Sequence, residues 1–141
     1  KYCKKSKLKK IFTINNYFNL NLSKNIKKKF NKFDFIFARN VIAHLNNPNE
    51  AFIGVENLLN DNGIFILEVP HLLNIIKHNQ YDNVFHEHIG FHSIKSFIDL
   101  AKQNKLFLFD CEIIDSQGGS IRCYFSKNNK LYNKSSNFYI T

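Results

Sequence analysis

The sequence contains no hydrophobic run that approaches the roughly 18 residues needed to span a membrane, and its start has none of the features of a secretory signal peptide. Its cysteines are few, and Cys3, Cys111 and Cys123 lie far apart, without the spacing of a metal site. These absences favour reduced thiols and a cytoplasmic location. A chain of 141 residues, 44% hydrophobic and 22% charged, is long enough for one domain with a core.

Acidic residues are absent before Asp34, whereas 11 of the 20 lysines and arginines precede Phe33. The net charge of +9 is therefore concentrated at the start of the chain. Such a concentration of basic residues makes nucleic-acid binding a candidate function. However, the lysines are interleaved with Asn, Ile and Phe, and no glycine-rich loop accompanies them as in many nucleic-acid-binding modules. The lysines are better interpreted as a solvated helix face, and nucleic-acid binding is the less favoured alternative.

The hydrophobic pattern alternates between strands and helices. Residues 33–38 and 63–69 are short apolar runs of the kind found in buried parallel strands. Between them, Asn47, Pro48 and Glu50 predict a capped helix start, and residues 61–63 predict its end. A strand-helix-strand unit of this kind predicts an α/β fold with ligands bound beyond the carboxyl ends of the strands.

Weaker patterns flank this unit. Residues 11–14 could form a preceding strand, followed by a helix over the basic residues 23–30. Downstream, Ser93 could cap a helix that carries Phe97, and residues 106–114 and 120–125 have the pattern of strands. These patterns extend the α/β alternation over most of the chain.

Four blocks of the sequence resemble one enzyme family. They are FDFIFARNVIAHLNNPNEAF, NGIFILEVPHLL, YDNVFHEHIGFHS and QGGSIRCY, in that order, and the similarity covers roughly residues 12–124. The blocks are similar to the S-adenosylmethionine-dependent C-methyltransferases that act on nucleotide-linked keto-deoxysugars. The resemblance implies the second half of a Rossmann-like class I methyltransferase sheet in residues 1–92. It also implies the start of a C-terminal α/β domain in residues 93–141.

The resemblance implies S-adenosylmethionine as cofactor, but the parts that bind it are missing from the sequence. Family members hold the cofactor with a glycine-rich turn and an acidic residue at the end of the next strand. The five glycines here form no G-x-G pattern, and no acid precedes Asp34. We therefore expect the chain alone to be incomplete and inactive. It could be a truncated remnant, or it could pair with a chain that supplies the missing N-terminal half.

The resemblance also implies roles for individual residues. The catalytic positions are His88 as the base or its proton partner, Glu87 as an orienting or sugar-binding carboxylate, and His44 as a stabiliser of the enolate oxygen. Asn40, at the end of a predicted strand, is expected to face the cofactor. The residues expected to contact a nucleotide-sugar substrate are His86, Glu68, Tyr81 and Arg122.

One family position differs in this chain. The family pattern has Tyr before His-Glu-His, whereas this sequence has Phe85, which removes a hydroxyl from the expected enolate site. Tyr81 could replace that hydroxyl only if the backbone there were helical. No metal site is predicted, although His86 and His88 on their own leave metal chelation open as an alternative.

Overall fold

The computed structural model of the protein describes residues 11–129. Within these residues, four helices and four strands follow one another with two short 3-10 turns between them. In chain order these are α1 (Leu20–Phe30), β1 (Phe33–Arg39), a 3-10 turn (Ile42–His44), α2 (Pro48–Leu58), β2 (Leu59–Pro70), α3 (Leu72–Lys77), a second 3-10 turn (Tyr81–Asn83), α4 (Ile94–Gln103), β3 (Phe107–Ile114) and β4 (Ser120–Ser126).

The four strands form one mixed sheet in the order β1-β2-β4-β3. Strands β1 and β2 are parallel, as the strand-helix-strand pattern predicts, while β4 runs antiparallel to both β2 and β3. The predicted α/β class is therefore confirmed. The predicted domain boundary between residues 92 and 93 stays a prediction, and a boundary there would divide strands that share one sheet.

The crossover between β1 and β2 differs from the prediction at both ends of its helix. Asn47 precedes α2 and Pro48 occupies its first turn, but the Asn47 side chain makes no capping hydrogen bond, so the expected capping box is not formed. Helix α2 ends at Leu58, and β2 begins at the fully buried Leu59. Residues 61–63, predicted as the helix end, therefore lie inside the strand.

At the start of the described chain, the expected strand at residues 11–14 is not formed. A strand requires a hydrogen-bonding neighbour, and within residues 11–129 the sheet contains no strand that pairs with this segment. The following basic helix is present as α1. The side chain of Asn19 caps it by accepting a hydrogen bond from the N–H of Leu22 at 2.8 Å.

The core lies between one face of the sheet and the helices α2 and α4. Phe52 of α2 is fully buried, and its ring lies 5.6 Å from that of Phe65 in β2 and 5.7 Å from that of Phe125 in β4. Phe97 of α4 stacks on the same ring at 6.4 Å. Burying one such side chain stabilises the fold by about 1.5–3 kcal/mol. This cluster fixes the sheet on which the candidate site is built.

The helices of the described chain are too short or too polar to cross a membrane.

Candidate active site at the carboxyl end of the parallel strands

A cleft of about 370 Å³ lies beyond the carboxyl ends of β1 and β2. Asn40 enters it directly after β1, with a backbone φ of 50° in the left-handed region that Asn tolerates better than most residues. Its N–H donates to the carbonyl of Glu68 at 2.8 Å, which ties this turn to β2. Its side-chain Oδ1 is buried without a hydrogen-bond partner among the described residues. Asn40 therefore carries an unpaired acceptor next to the cleft.

Two histidines from distant blocks of the sequence meet at this cleft. The rings of His44 and His88 lie 4.9 Å apart, and both residues line the cleft. Their backbones are joined through Ala43, whose carbonyl accepts the N–H groups of Ile89 at 2.9 Å and Gly90 at 3.0 Å. The structure thus brings His44 and His88 together, and the catalytic roles expected of them stay predictions.

Backbone carbonyls orient both imidazoles. His88 Nδ1 lies 2.8 Å from the carbonyl oxygen of Asn83, and His44 Nδ1 lies 2.7 Å from that of Glu87. A carbonyl oxygen can only accept a hydrogen bond, so each Nδ1 carries the proton. In the neutral form of each ring, Nε2 is then left with a lone pair. Both histidines are therefore held in the tautomer that can accept a proton on Nε2.

The His-Glu-His cluster forms a tight turn. The N–H of His88 donates to the carbonyl of Phe85 at 2.9 Å, which places His86 and Glu87 at the two central positions of the turn. Their side chains are 89% and 66% exposed, respectively, and approach each other only to 3.9 Å. Glu87 thus contacts His44 through its backbone carbonyl, while its carboxylate extends into solvent. Neither His86 nor Glu87 is among the residues that line the cleft.

Phe85 occupies the position where the resembled family has Tyr, and it lines the cleft. Its ring centroid lies 4.0 Å from that of His88, so an apolar ring contacts one side of the imidazole. Tyr81 lies in a single 3-10 turn, is 78% exposed and is not among the cleft-lining residues. The hydroxyl that Phe85 lacks is therefore not replaced by Tyr81 in this conformation.

Glu68 and Arg122 lie together in a row of charges across the sheet. Arg39, Glu68, Arg122 and Glu112 are directly opposite one another on β1, β2, β4 and β3. Arg122 donates to Glu68 Oε2 from Nε at 3.2 Å and from Nη2 at 3.1 Å. Arg39 Nε lies 2.9 Å from Glu68 Oε1 as an ion pair, but without the alignment of a hydrogen bond. The carboxylate of Glu68 is thus buried and balanced by arginines on both sides.

Tyr124 contacts Glu112, the residue at the β3 end of this row of charges. Its hydroxyl donates to Glu112 Oε1 at 2.6 Å, and Arg122 Nη1 donates to the same oxygen at 3.0 Å. The hydrogen bond from Tyr124, followed by the contribution of Arg122, lowers the pKa of the Glu112 carboxyl. Neither Glu68 nor Arg122 lines the cleft. The structure therefore shows these two residues in a structural ion-pair row.

Three further residues line the cleft and were not predicted from the sequence as site residues. These are Asp82, Asn83 and Gln117, the last with a left-handed φ of 51°. Gln80 fixes the two loops that carry them, because its Nε2 donates to the carbonyl of Gly118 and its Oε1 accepts from Asn83 Nδ2 at 3.1 Å. All three belong to the YDNVFHEHIGFHS and QGGSIRCY blocks, so their presence in those blocks was the available signal.

Two more histidines lie outside the lining of the cleft, His71 buried and His92 half-buried. His71, which follows β2, is 5% exposed and has no partner at either ring nitrogen, and His92 is unpaired at Nε2. His71 and His92 form an isolated parallel β-bridge, and the His92 ring stacks on Phe97 at 4.8 Å. Burial lowers the pKa of both imidazoles, because it disfavours the charged form. Across residues 11–129, no group of three or more His, Cys, Asp or Glu side chains is placed to hold a metal ion.

Comparison with known proteins assigns the chain to a family. The model of a methyltransferase domain family matches residues 4–106, and the chain belongs to that family. It is 37% identical over 86 residues to C-methyltransferase NovU of Streptomyces niveus, a match that spans 61% of this chain and 20% of that protein. The expected methyltransferase membership is therefore confirmed.

Solved structures show the same fold at low sequence identity. An S-adenosylmethionine-dependent methyltransferase of Clostridium acetobutylicum is similar with a TM-score of 0.55 at 10% identity, over 87% of this chain and 68% of that one. A possible histamine N-methyltransferase of Thermotoga maritima is similar with a TM-score of 0.53 at 15% identity, over 68% and 56% of the respective chains. The Rossmann-like methyltransferase fold predicted from the sequence is thus confirmed. The chain spans about a fifth of the curated relative and half to two thirds of these solved neighbours.

Proposed function

We propose that this chain is part of an S-adenosylmethionine-dependent C-methyltransferase that methylates a carbon next to the ketone of a nucleotide-linked deoxysugar. The observation that carries the proposal is the pairing of His44 and His88 in a cleft at the carboxyl edge of the parallel strands. Membership of the methyltransferase family and the similarity to a C-methyltransferase support it. The nucleotide sugar comes from the resemblance of the four sequence blocks.

His88 is the proposed base. Carbon methylation beside a ketone begins with the removal of a proton from that carbon, which leaves the electron pair delocalised as an enolate. With Nδ1–H donated to the Asn83 carbonyl, Nε2 of His88 can accept this proton, and the carbonyl can stabilise the imidazolium that forms. The backbone carbonyl of Asn83 is therefore proposed to orient His88 and stabilise its protonated ring, as a carboxylate does for many catalytic histidines.

His44 can stabilise the enolate oxygen only in one protonation state. Its Nδ1–H is donated to the Glu87 carbonyl, so Nε2 can donate to an enolate oxygen only when the ring is an imidazolium. In the neutral state, His44 Nε2 is an acceptor and would instead bind a substrate hydroxyl. The proposed role of His44 thus depends on its protonation state, whereas Phe85 contributes an apolar wall and no proton.

Asn40 is the residue best suited to contact the cofactor. S-adenosylmethionine, when bound, supplies an electrophilic methyl group on a sulfonium centre. It carries amino and hydroxyl donors, and the buried, unpaired Oδ1 of Asn40 is an acceptor that fits such a donor.

The buried free thiols of Cys111 and Cys123 suit a cytoplasmic location, where thiols remain reduced.

The test uses the enzyme completed with a cofactor-binding half, labelled S-adenosylmethionine and a nucleotide-linked 4-keto-6-deoxysugar. We expect His88→Asn to lower the methylation rate by about 10²–10⁴-fold, as loss of a general base does. His78→Asn is the matched control, because His78 is exposed at the end of α3, away from the cleft.

A second measurement separates proton removal from methyl transfer. Without the cofactor, the substrate incubated in D₂O with the completed enzyme should exchange the hydrogen next to its ketone, and His88→Asn should lose this exchange. Unchanged methylation and exchange in His88→Asn would exclude His88 as the base. Absence of exchange and methylation in the unmodified enzyme would contradict the proposed reaction itself.

A further inference from the structure

We propose that Gln80 is a positioning residue, which ties the turn that orients His88 to the loop at Gly118 and so makes the proton-accepting state of His88 depend on the position of that loop. Gln80 is not among the residues that line the cleft, so it acts through its neighbours rather than on a bound molecule. The proposal rests on the function proposed above for the catalytic meaning of His88, while the coupling itself can be measured without a substrate.

The orientation of His88 depends on a very short element. Its Nδ1 donates to the carbonyl of Asn83 at 2.8 Å, and Asn83 is the last residue of the 3-10 turn Tyr81–Asn83. The N–H of Asn83 donates to the carbonyl of Gln80 at 3.1 Å. A 3-10 turn of three residues has few backbone hydrogen bonds of its own. Contacts from side chains are therefore needed to fix the direction of the Asn83 carbonyl.

The carboxamide of Gln80 supplies such a contact, and it does so in one orientation only. Its Nε2 donates to the carbonyl of Gly118 at 2.6 Å, and its Oε1 accepts from Nδ2 of Asn83 at 3.1 Å. Because a carbonyl can only accept, Nε2 must face Gly118, and Oε1 is then left for the Asn83 donor. The backbone N–H of Gln80 donates to the carbonyl of Ile75 in α3 at 3.0 Å. The side chain thus bridges two loops while its backbone is anchored on a helix.

The loop on the other side of the bridge has a backbone conformation that favours glycine. Gly118 has a φ of 76°, and a Cβ added there would lie 2.6 Å from Nε2 of Gln80. The absence of a side chain at Gly118 therefore gives the carboxamide room for its hydrogen bond. Gln117, the preceding residue, lines the cleft. A displacement of this loop would thus move one wall of the cleft and, through Gln80, the carbonyl that orients His88.

The consequence for His88 concerns its tautomer. With Nδ1–H donated to Asn83, the neutral ring has its lone pair on Nε2, as the proposed base requires. Without that acceptor, the proton can reside on Nε2 instead, and Nε2 then cannot accept another proton. Removal of the Gln80 bridge should therefore convert part of the His88 population to a tautomer that is inactive as a base.

Nuclear magnetic resonance of this chain, with ¹⁵N in its six histidines, measures the tautomer directly. The ring signals of His88 are identified as those that are missing from His88→Asn. At a pH where the ring is neutral, we expect His88 to be protonated at Nδ1 in the unmodified chain and to show a mixture of both tautomers in Gln80→Leu. Gln103→Leu is the matched control, because Gln103 is exposed at the end of α4 and does not line the cleft.

Two further variants separate the bridge from a general loss of structure. Gln80→Glu keeps an acceptor for Asn83 but places an oxygen against the Gly118 carbonyl, so we expect the same mixture of tautomers as in Gln80→Leu. Gly118→Ala keeps Gln80 but displaces its carboxamide with the new Cβ, and it should shift the tautomer in the same direction. Far-UV circular dichroism should show unchanged helix content in all three variants.

In the completed enzyme, Gln80→Leu should lower kcat for methylation roughly tenfold to a hundredfold, since a small displacement of a catalytic group has an effect of that size. A rise in KM with unchanged kcat would overturn the positioning role. So would a His88 that stays protonated at Nδ1 in Gln80→Leu, or in both Gln80→Glu and Gly118→Ala, or that is protonated mainly at Nε2 in the unmodified chain. A mixture of tautomers in Gln80→Leu, found together with a completed enzyme that methylates no keto-sugar, would support the coupling while contradicting the proposed function.

Discussion

The two arginines beside the buried Glu68 carboxylate should contribute unequally to the stability of the fold, and replacement of each arginine should show this difference. The side chain of Glu68 is 2% exposed, whereas those of Arg39 and Arg122 are 59% and 32% exposed. Replacement of Arg122 by Met removes both hydrogen bonds to Glu68 Oε2 and leaves a buried charge. Replacement of Arg39 by Met removes an ion-pair contact from a solvated side chain.

The expected magnitudes follow from this difference. A hydrogen bond to a charged group contributes about 1.5–3 kcal/mol, and an unpaired buried charge costs more. Because Arg122 is partly solvated, we expect Arg122→Met to lower the free energy of unfolding by about 2–4 kcal/mol. Arg39→Met should cost less than about 1 kcal/mol, as exposed ion pairs do. Glu68→Leu added to Arg122→Met should recover part of the loss, because no carboxylate then remains buried.

Urea unfolding at neutral pH, followed by far-UV circular dichroism, measures these differences in the described chain. The midpoint and slope of each transition give the free energy of unfolding by linear extrapolation. An equal or larger loss for Arg39→Met than for Arg122→Met would refute the assignment of the buried charge to its Arg122 partner. A double variant less stable than Arg122→Met alone would refute the explanation by an unpaired carboxylate.

Three other predictions concern the thiols, the buried His71 and the cleft. Burial raises the pKa of Cys111 to about 11 and that of Cys123 further, so mass spectrometry should find both unmodified by iodoacetamide at about pH 8 until the protein unfolds. Burial lowers the pKa of His71 below its ordinary value of 6.5, so the unfolded state binds more protons than the folded state. The free energy of unfolding measured in urea should therefore fall as pH drops below 6.5. A weaker dependence of that free energy on pH in His71→Phe would confirm His71 as the cause. In the completed enzyme, Phe85→Tyr should raise the methylation rate by about tenfold to a thousandfold if a hydroxyl at this position stabilises the enolate, and an unchanged rate would assign Phe85 a packing role.

The local elements of the fold could be predicted from the sequence, but their neighbours in the sheet could not. The apolar runs at β1 and β2 and the cap at Ser93 of α4 are local signals, and the structure contains all three. By contrast, insertion of β4 between β2 and β3 depends on contacts between residues far apart in the chain. The end of α2 was misplaced because residues 61–63 have turn composition, while burial of Leu59 extends the strand back to the helix.

The sequence blocks that form the candidate site could be predicted, whereas the orientation of their side chains could not. The meeting of His44 and His88 follows from two loops at one edge of the sheet. The turn from Phe85 to His88 leaves Glu87 in solvent, and only the three-dimensional backbone shows that its carbonyl, rather than its carboxylate, contacts His44. Burial of Glu68 likewise depends on arginines supplied by two other strands. The sequence shows only that Glu68 lies at a strand end, and this position suggested a substrate contact.

The carbonyl of Ala43 has a consequence for the order in which the chain folds. It holds Ile89 and Gly90 against the 3-10 turn, and His44 then reaches Glu87, 43 residues away in sequence. Contacts of such long sequence separation form only after the costs of loop closure have been met. The two imidazoles therefore come together only after the loop between them has closed, and their mutual ring contact is a spectroscopic marker for that step. A variant that retains its helices but has lost this marker would be folded everywhere except at the cleft.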